Sequence, residues 1–409
     1  MAVNRLFDPG PAVTEPTGRT LSCISCGLYR DVLSPKMKPW GKFRRQLMTI
    51  GEGPGEQEDK RGKPWQGRMG TVLSDMLHDL DVDLERDCLS TNSVLCRPPN
   101  NRTPTGHEQA CCRTKFLYPE IEVSKPKVIL LLGGVPCGSV LGSLMPEIDE
   151  RITKWRGWRV PVQRWNAWAC PTFHPSFVSR EQKPEVDTIW RQDIAAAIDL
   201  LDVPVPQLPS LRERVTILRD EDAILAAIAE AHRARYLSFD YETEGLRAFV
   251  HKLVCTSFAT SGDRAYAFMH GYSERVAKAW YDLLSDPKVG KISHNLKFEA
   301  NWSYYHFGVE DIVWSWDSML AAHVWDNRVG LCGLKLQAFL NFGLEPYDTL
   351  ISPFLESVSR SDPNSPNRIR EFIERHGADE ALIYCGCDSL LAFRLAMKQM
   401  QEIGGRDGR

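Results

Sequence analysis

Short apolar blocks, punctuated by glycine and proline, dominate the first two hundred positions. "QLMTIGEGPG" (46–55), "KVILLLGG" (127–134) and "VPVQRWNAWACPT" (160–172) have the length of buried strands. Helical spacing appears between them, over 70–80 and 107–119. The run "DVPVPQLPSLRERV" (202–215) then loses its apolar periodicity and carries three prolines. It reads as a linker, placed at 201–212, between one domain of 1–200 and another of 213–409. Beyond it, "RYLSFDYE" (235–242), "LVCTSFAT" (253–260) and "RAYAFMH" (264–270) are three successive strands, and helices are expected around 274–285, 297–306 and 379–401. Both halves are therefore α/β domains built on a central sheet.

Composition changes this picture little. A chain of 409 residues with 43% hydrophobic and 25% charged content is an ordinary globular protein of two or three domains. The most apolar run, "KVILLLGGVPCGSVLGSLM" (127–145), is broken by Gly133, Gly134 and Pro136, so it reads as strand–turn–helix and not as a membrane span. Residues 1–19 lack the apolar segment of a signal peptide, and the expected location is cytoplasmic. Twelve cysteines in that compartment point to metal ligands or buried thiols, not disulfides. The tail "GGRDGR" is expected to be mobile.

Net charge is −3, which alone argues against a nucleic-acid binder, but its distribution is uneven. Residues 1–200 hold 27 Lys/Arg against 24 Asp/Glu, and the remainder 23 against 29. A basic first half and an acidic second suit DNA contact joined to a metal-binding carboxylate cluster; two solvated faces fit the same numbers.

Cys23 and Cys26 stand two residues apart in "LSCISCGLYRD", and a metal site needs about two more ligands. The cysteines to choose from before the linker are 88, 96, 111, 112, 137 and 170. Cys96 lies in "TNSVLCRPPNNRTPTG" and Cys112 in "HEQACCRTKFLYPEI". Here the chain resembles the iron–sulfur (family four-like) uracil-DNA glycosylases, which pair an early CxxC with a cysteine at a strand end and another after an "NRTPT" loop. The resemblance implies a [4Fe–4S] cluster on Cys23, Cys26, Cys96 and Cys112, with Cys111 as a one-residue alternative and zinc as the alternative metal. It extends over most of residues 20–195, through "GEGPGEQEDKRGKPWQGRMG" (51–70) and "FHPSFVSR" (173–180), and implies a glycosylase-type α/β sandwich with a parallel sheet.

Such an enzyme must evert a nucleotide and hold uracil by stacking and edge-specific hydrogen bonds. Trp65 matches the family's aromatic platform, usually phenylalanine. Asn92 offers the donor and acceptor that separate uracil's edge from cytosine's. His174 would donate to uracil O2 as the glycosidic bond breaks. Glu52 and the Gly53 backbone would line the pocket and position water. Gly53 departs from the family, which usually has alanine there, while other glycosylases carry an acid. The stretch "KWRGWRVPVQRWNAW" (154–168) reads as a hairpin with core tryptophans, the alternative being a DNA-stacking surface.

In the second half, period-two alternation in "RYLSFDYETEGL" sends Asp240 and Glu242 to one side of a strand. Asn295 and Glu299 enter a helix in "HNLKFE" (294–299), and Tyr384 and Asp388, at i and i+4, share a helix face. With "DSMLAAHVWD" (317–326), this set resembles the DEDDy 3′–5′ proofreading exonucleases of A-family DNA polymerases, from about 213 to 401, and implies an RNase H-like domain with a mixed sheet. The resemblance assigns two Mg²⁺ or Mn²⁺ ions, about 3.5–4 Å apart, to Asp240, Glu242 and Asp388. It assigns the orienting of water to Tyr384, and a contact with the second ion to Glu299, where the family has aspartate. Cys385 and Cys387 read as packing residues.

The order of domains resembles the front of certain phage replicative polymerases, without the polymerase module, and implies a separately encoded polymerase partner. The leading expectation is a DNA replication or repair protein with both activities, in a nucleoid or viral replication complex. One alternative makes the first domain a non-catalytic DNA- or uracil-binding accessory module; another directs the exonuclease to RNA.

Overall fold

The computed structural model describes residues 20–404, except 272 and 360. Residues 1–19 and the end of the "GGRDGR" tail lie outside the described residues. The chain divides into two compact units, Met1–Gln207 and Leu208–Arg409. This division falls inside the stretch expected to be a linker, and the stretch is not a free tether. Trp168 Nε1 donates to the Val203 carbonyl at 2.9 Å and Gln163 Nε2 to that of Pro206 at 3.0 Å, while Val205 is buried. Leu208 and Leu211 pack into the core of the second unit. The prolines mark a change of partner, not slack chain.

In the first unit five strands, β1 (Leu47–Gly51), β2 (Cys88–Asn92), β3 (Val128–Leu132), β4 (Val160–Val162) and β5 (Ala167–Thr172), form a sheet in the order β2-β1-β3-β5-β4. All neighbours are parallel except β4 and β5, which make the expected hairpin through a 3₁₀ turn at Gln163–Trp165. β1 and β3 are completely buried and, apart from Thr49, apolar, as strands covered by helices on both faces must be. Of the four tryptophans in 154–168, Trp155 and Trp165 are buried in the core and Trp158 and Trp168 are half-buried. The apolar run from 127 resolves into β3 and a helix at Gly134–Val140; no helix among the described residues is long and apolar enough to cross a membrane.

Four helices of this unit position its functional groups: α1 (Cys23–Cys26), α2 (Arg68–His78), α3 (Gly106–Cys112) and α4 (Pro175–Glu181). α1 is a single turn, closed at its start by Ser22, which accepts from Ser25 N–H, and at its end by left-handed Gly27. α3 begins on a Thr105–Glu108 capping box and continues into a wider-wound turn at Arg113–Leu117, where 107–119 had read as one helix.

The second unit has a mixed six-stranded sheet of β6 (Val215–Ile217), β7 (Tyr236–Thr243), β8 (Leu253–Ala259), β9 (Ala265–Met269), β10 (Gly290–Ser293) and β11 (Trp314–Asp317), in the order β11-β10-β7-β8-β9-β6. β7, β8 and β9 form the antiparallel meander read from the sequence; β10, β11 and β6 add parallel strands at its flanks. β6, β10 and β11 are only three or four residues long, too short to show a period. Helices α5 (Leu296–Phe307), α6 (Ser318–Trp325), α7 (Leu334–Phe342) and α8 (Ala378–Gly404) complete the site-bearing frame. α8 crosses the sheet at Gly386, where a Cβ would lie 2.5 Å from Val215 Cγ1. It is fastened there by Ser257 Oγ donating to the Cys385 carbonyl at 2.7 Å.

Candidate functional sites

In the first unit the carboxyl ends of β1, β2, β3 and β5 open into a cleft of about 810 Å³ whose walls include Glu52, Gly53, Trp65, Asn92 and His174. Asn92 ends β2 opposite Gly51 of β1 and is 4% exposed. A Cβ on Gly51 would stand 2.4 Å from Asn92 Oδ1 and 3.2 Å from the Trp65 ring, so glycine lets amide and indole meet. Trp65 is anchored twice. Its Nε1 donates to Thr49 Oγ1 at 3.1 Å, and its backbone N–H donates to the Glu58 carboxylate, which holds the left-handed φ of 57°. Its ring centroid lies 5.7 Å from that of His174.

His174 caps the start of α4. Its Nδ1 accepts from the Ser176 backbone N–H at 3.1 Å, so the neutral ring carries its proton on Nε2. Burial and the nearby Arg180 push its pKa down to about 4. The imidazole is therefore a neutral donor over the whole physiological range. Glu52 is held above the usual carboxylate range by burial and by Glu150, with Thr103 bonding to it in opposition. Gly53 has a steric reason: a Cβ there would lie 2.8 Å from Val94 Cγ2, so the Val94 methyl takes the room that alanine would fill.

The structure gathers Cys23, Cys26, Cys96, Cys111 and Cys112 around one small apolar hollow with Leu95, Tyr29 and Phe116. Backbone N–H groups point at three of the sulfurs: Leu28 at Cys26, Lys36 at Cys96 (3.2 Å) and Leu95 at Cys112. Such donors stabilise a thiolate ligand. Cys111 borders the same hollow and also lies 3.7 Å from Ser25 Oγ and 3.5 Å from His107 Nε2. Among the described residues no three of these sulfurs lie within 4.8 Å of one another. A tetrahedral zinc needs its sulfurs about 3.8 Å apart. The thiols of Cys23, Cys26, Cys96 and Cys112 form a donor set that suits a soft metal ion or an iron–sulfur cluster.

In the second unit Asp240 sits at the centre of an acidic cluster. Burial and the Asp388 carboxylate lift its pKa to about 8, and it hydrogen-bonds with Glu242. Glu242 and Glu299 are both raised well above the usual carboxylate range, by burial first and then by Asp240. Glu299 accepts from Ser293 Oγ at 2.6 Å. Tyr384 is also pushed up, by burial and then by Asp388, Glu242 and Asp240, so its hydroxyl keeps its proton. Asn295 begins α5 in a left-handed conformation (φ 78°), and its backbone N–H donates to Asp317. The Asp317 carboxylate accepts from the first N–H groups of both α5 and α6, which makes the aspartate of "DSML" a double cap.

Three residues at this centre were not read from the sequence as part of it. Lys335, at the start of α7, places its ammonium on both Asp388 oxygens and over the rings of Tyr384 and Tyr347, 4.6 and 4.8 Å from their centroids. Tyr347 donates its hydroxyl to the same carboxylate. Cys385, read as packing, has its sulfur 3.6 Å from Asp240 Oδ2. No periodic or spacing signal marks Lys335 or Tyr347; Cys385 could have been found from its place next to Tyr384.

The two α/β units thus carry separate candidate sites, an open polar cleft in the first and a carboxylate centre in the second. Residues 39–193 match the uracil DNA glycosylase superfamily, and residues 215–403 match the 3′–5′ exonuclease family. A type-4 uracil-DNA glycosylase of Thermotoga maritima is 38% identical over 181 residues, 44% of this chain and 89% of the relative. One from Archaeoglobus fulgidus is 31% identical over 190 residues, 46% of this chain and 92% of the relative. Through its first half the chain belongs to the type-4 uracil-DNA glycosylase family, and its second half is a 3′–5′ exonuclease domain. Among solved structures, Escherichia coli RNase D covers 47% of this chain and 46% of its own, at 15% identity and a TM-score of 0.37.

Proposed function

We propose that the first unit excises uracil from DNA and the second removes nucleotides from DNA 3′ ends, so that one chain joins base repair to end processing. The observation that carries the glycosylase reading is the meeting of Trp65, Asn92 and His174 in one cleft, with the imidazole a neutral Nε2–H donor. Uracil would stack on Trp65 and present its O4 and N3–H edge to the Asn92 amide. His174 would donate to O2, where negative charge develops as the glycosidic bond breaks. Glu52, whose proton affinity burial and Glu150 raise, would hold the attacking water. The iron–sulfur cluster would hold the Cys23–Cys26 turn against the loop from Cys96 to Cys112, a structural role.

In the second unit Asp240, Glu242 and Asp388 would hold two divalent cations, which when bound supply an activated water and stabilise the leaving 3′ oxygen. Tyr384, protonated, would orient that water, and Glu299 would reach the second cation. Lys335 must leave Asp388 for this arrangement to form. A separately encoded DNA polymerase, in a nucleoid or viral replication complex, is the partner such a 3′ exonuclease would serve; its co-purification from the native host tests that.

The deciding experiment is digestion of 3′-labelled DNA containing one uracil, with Mg²⁺ or with EDTA. Nucleotide ladders that need metal and abasic sites that do not are the expected result. A second reading, in which the first unit grips uracil or template without cleaving it, is favoured by Gly53, which has no side chain to polarise water. Absence of free uracil from a single-stranded oligonucleotide would establish that reading instead.

A further inference from the structure

The nuclease centre holds a donor set that an all-oxygen cation site does not need. A carboxylate oxygen of Asp240, one of Glu242 and the sulfur of Cys385 all lie within 4.8 Å of one another. Cys385 Sγ is 3.6 Å from both Asp240 Oδ2 and the Asp240 carbonyl. A second buried thiol, Cys255, is paired with Glu242 across β7 and β8 and adjoins the Cys385 sulfur.

Charge distribution supplies a second, independent pointer to a ligand. Asp388 is already neutralised by the Lys335 ammonium and the Tyr347 hydroxyl. Glu242, only 8% exposed, has no such partner among the described residues; its hydrogen-bonding neighbour is the Asp240 carboxyl. The Lys335 charge reaches Asp240 and Glu242 only from its seat on Asp388, so two carboxylates beside a thiol, with no ammonium bonded directly to either among the described residues, form a site that a divalent ion would satisfy.

We propose that Asp240, Glu242 and Cys385 bind a thiophilic divalent cation of the zinc class, and that its binding closes the nuclease by engaging Asp240 and Glu242. Sulfur and oxygen together suit Zn²⁺ or Co²⁺, whereas Mg²⁺ gains nothing from the sulfur. Binding breaks the Cys385 S–H bond, forms a metal–sulfur bond and releases that proton to solvent together with any held on the Asp240 and Glu242 carboxyls, with no change of oxidation state. The inhibitory consequence rests on the exonuclease reading; the donor set does not.

The test titrates Co²⁺ into the full chain, as wild type, Cys385→Ala and Cys385→Ser, each with its amino-terminal cysteines intact. Expected is a thiolate-to-cobalt charge-transfer absorption in the wild-type-minus-Cys385→Ala difference spectrum, saturating at one ion beyond whatever the amino-terminal cysteines, common to all three proteins, take up. Zn²⁺ should also inhibit Mg²⁺-dependent 3′ degradation at least tenfold more strongly in the wild type, each protein normalised to its own uninhibited rate. Thermal melts of the two variants monitor folding, and Cys385→Ser keeps the side-chain size. Identical cobalt spectra in all three folded proteins would overturn the proposal. A Cys385-dependent band without any nuclease activity would retain the site and defeat the exonuclease reading; Mg²⁺-dependent degradation without the band would do the reverse.

Discussion

His174 Nε2–H is a donor because the Ser176 N–H occupies the other ring nitrogen. His174→Ala should therefore lower the rate of uracil release by about 10²–10³-fold, the usual cost of one lost anion-stabilising donor, with folding preserved. Since burial holds the ring's pKa at about 4, it stays neutral from pH 5.5 to 8, and over that range His174 contributes no inflection to the rate. A rate that fell as pH rose through 6.5 would instead identify a protonated imidazole as the active form. Lys335 invites a second substitution. Removing its ammonium leaves the nearly buried Asp388 charge unpaired, so metal-free Lys335→Met should be less stable by about 1–3 kcal/mol. Mn²⁺ should then bind more tightly than in wild type, because no lysine has to be displaced; weaker Mn²⁺ binding on calorimetric titration would show that Lys335 helps to assemble the site.

At the scale of elements, both centres are made where a helix or turn meets strand ends. α8 delivers Tyr384 and Asp388 to β7 because Gly386 lets it approach β6 so closely. Gly386→Val should destabilise the second unit by about 1–3 kcal/mol through overpacking against Val215, read as a lowered melting temperature. Val215→Ala in the same chain should recover part of that loss, since the two positions are in contact. Simple additivity of the two substitutions would place the strain elsewhere. The elements legible in sequence were those with an unbroken apolar run or a full period: β1, β3, the β7–β9 meander, α5 and α8. The short strands β6, β10 and β11 have no period to read and exist because neighbouring strands offer them hydrogen-bond partners.

At the scale of the whole molecule, the enclosed carboxylates tie stability to pH and metal. Asp240, Glu242 and Glu299 all bind protons more strongly in the metal-free fold than in the unfolded chain, where carboxyls titrate near 4. Their contribution to stability is therefore full below about pH 4 and is lost as pH rises, for Asp240 as it passes through about 8. With EDTA, calorimetry should show one transition whose midpoint falls between pH 5 and 8. Mg²⁺ should raise that midpoint more at pH 8 than at pH 5, because bound cations take the place of the protons. A metal-free midpoint independent of pH would count against the coupled cluster. The same scale explains the division at 207 and 208: Trp168 and Gln163 hold the chain up to Pro206, and the second core takes over from Leu208.

Local chemistry alone determined the two α/β sheets, the CxxC turn, the strand-end pair Asp240 and Glu242, and the Tyr384–Asp388 helix face. Each depends on residues close in sequence, and a period of 2 or 3.6 carries that information. Tertiary structure alone decided that Lys335 and Tyr347 neutralise Asp388, that Cys385 faces Asp240, that Val94 fills the space beside Gly53, and which neighbours surround Cys111 and Cys112. Those are distances between side chains tens of residues apart, set by how helices pack on sheets, and no local pattern encodes them.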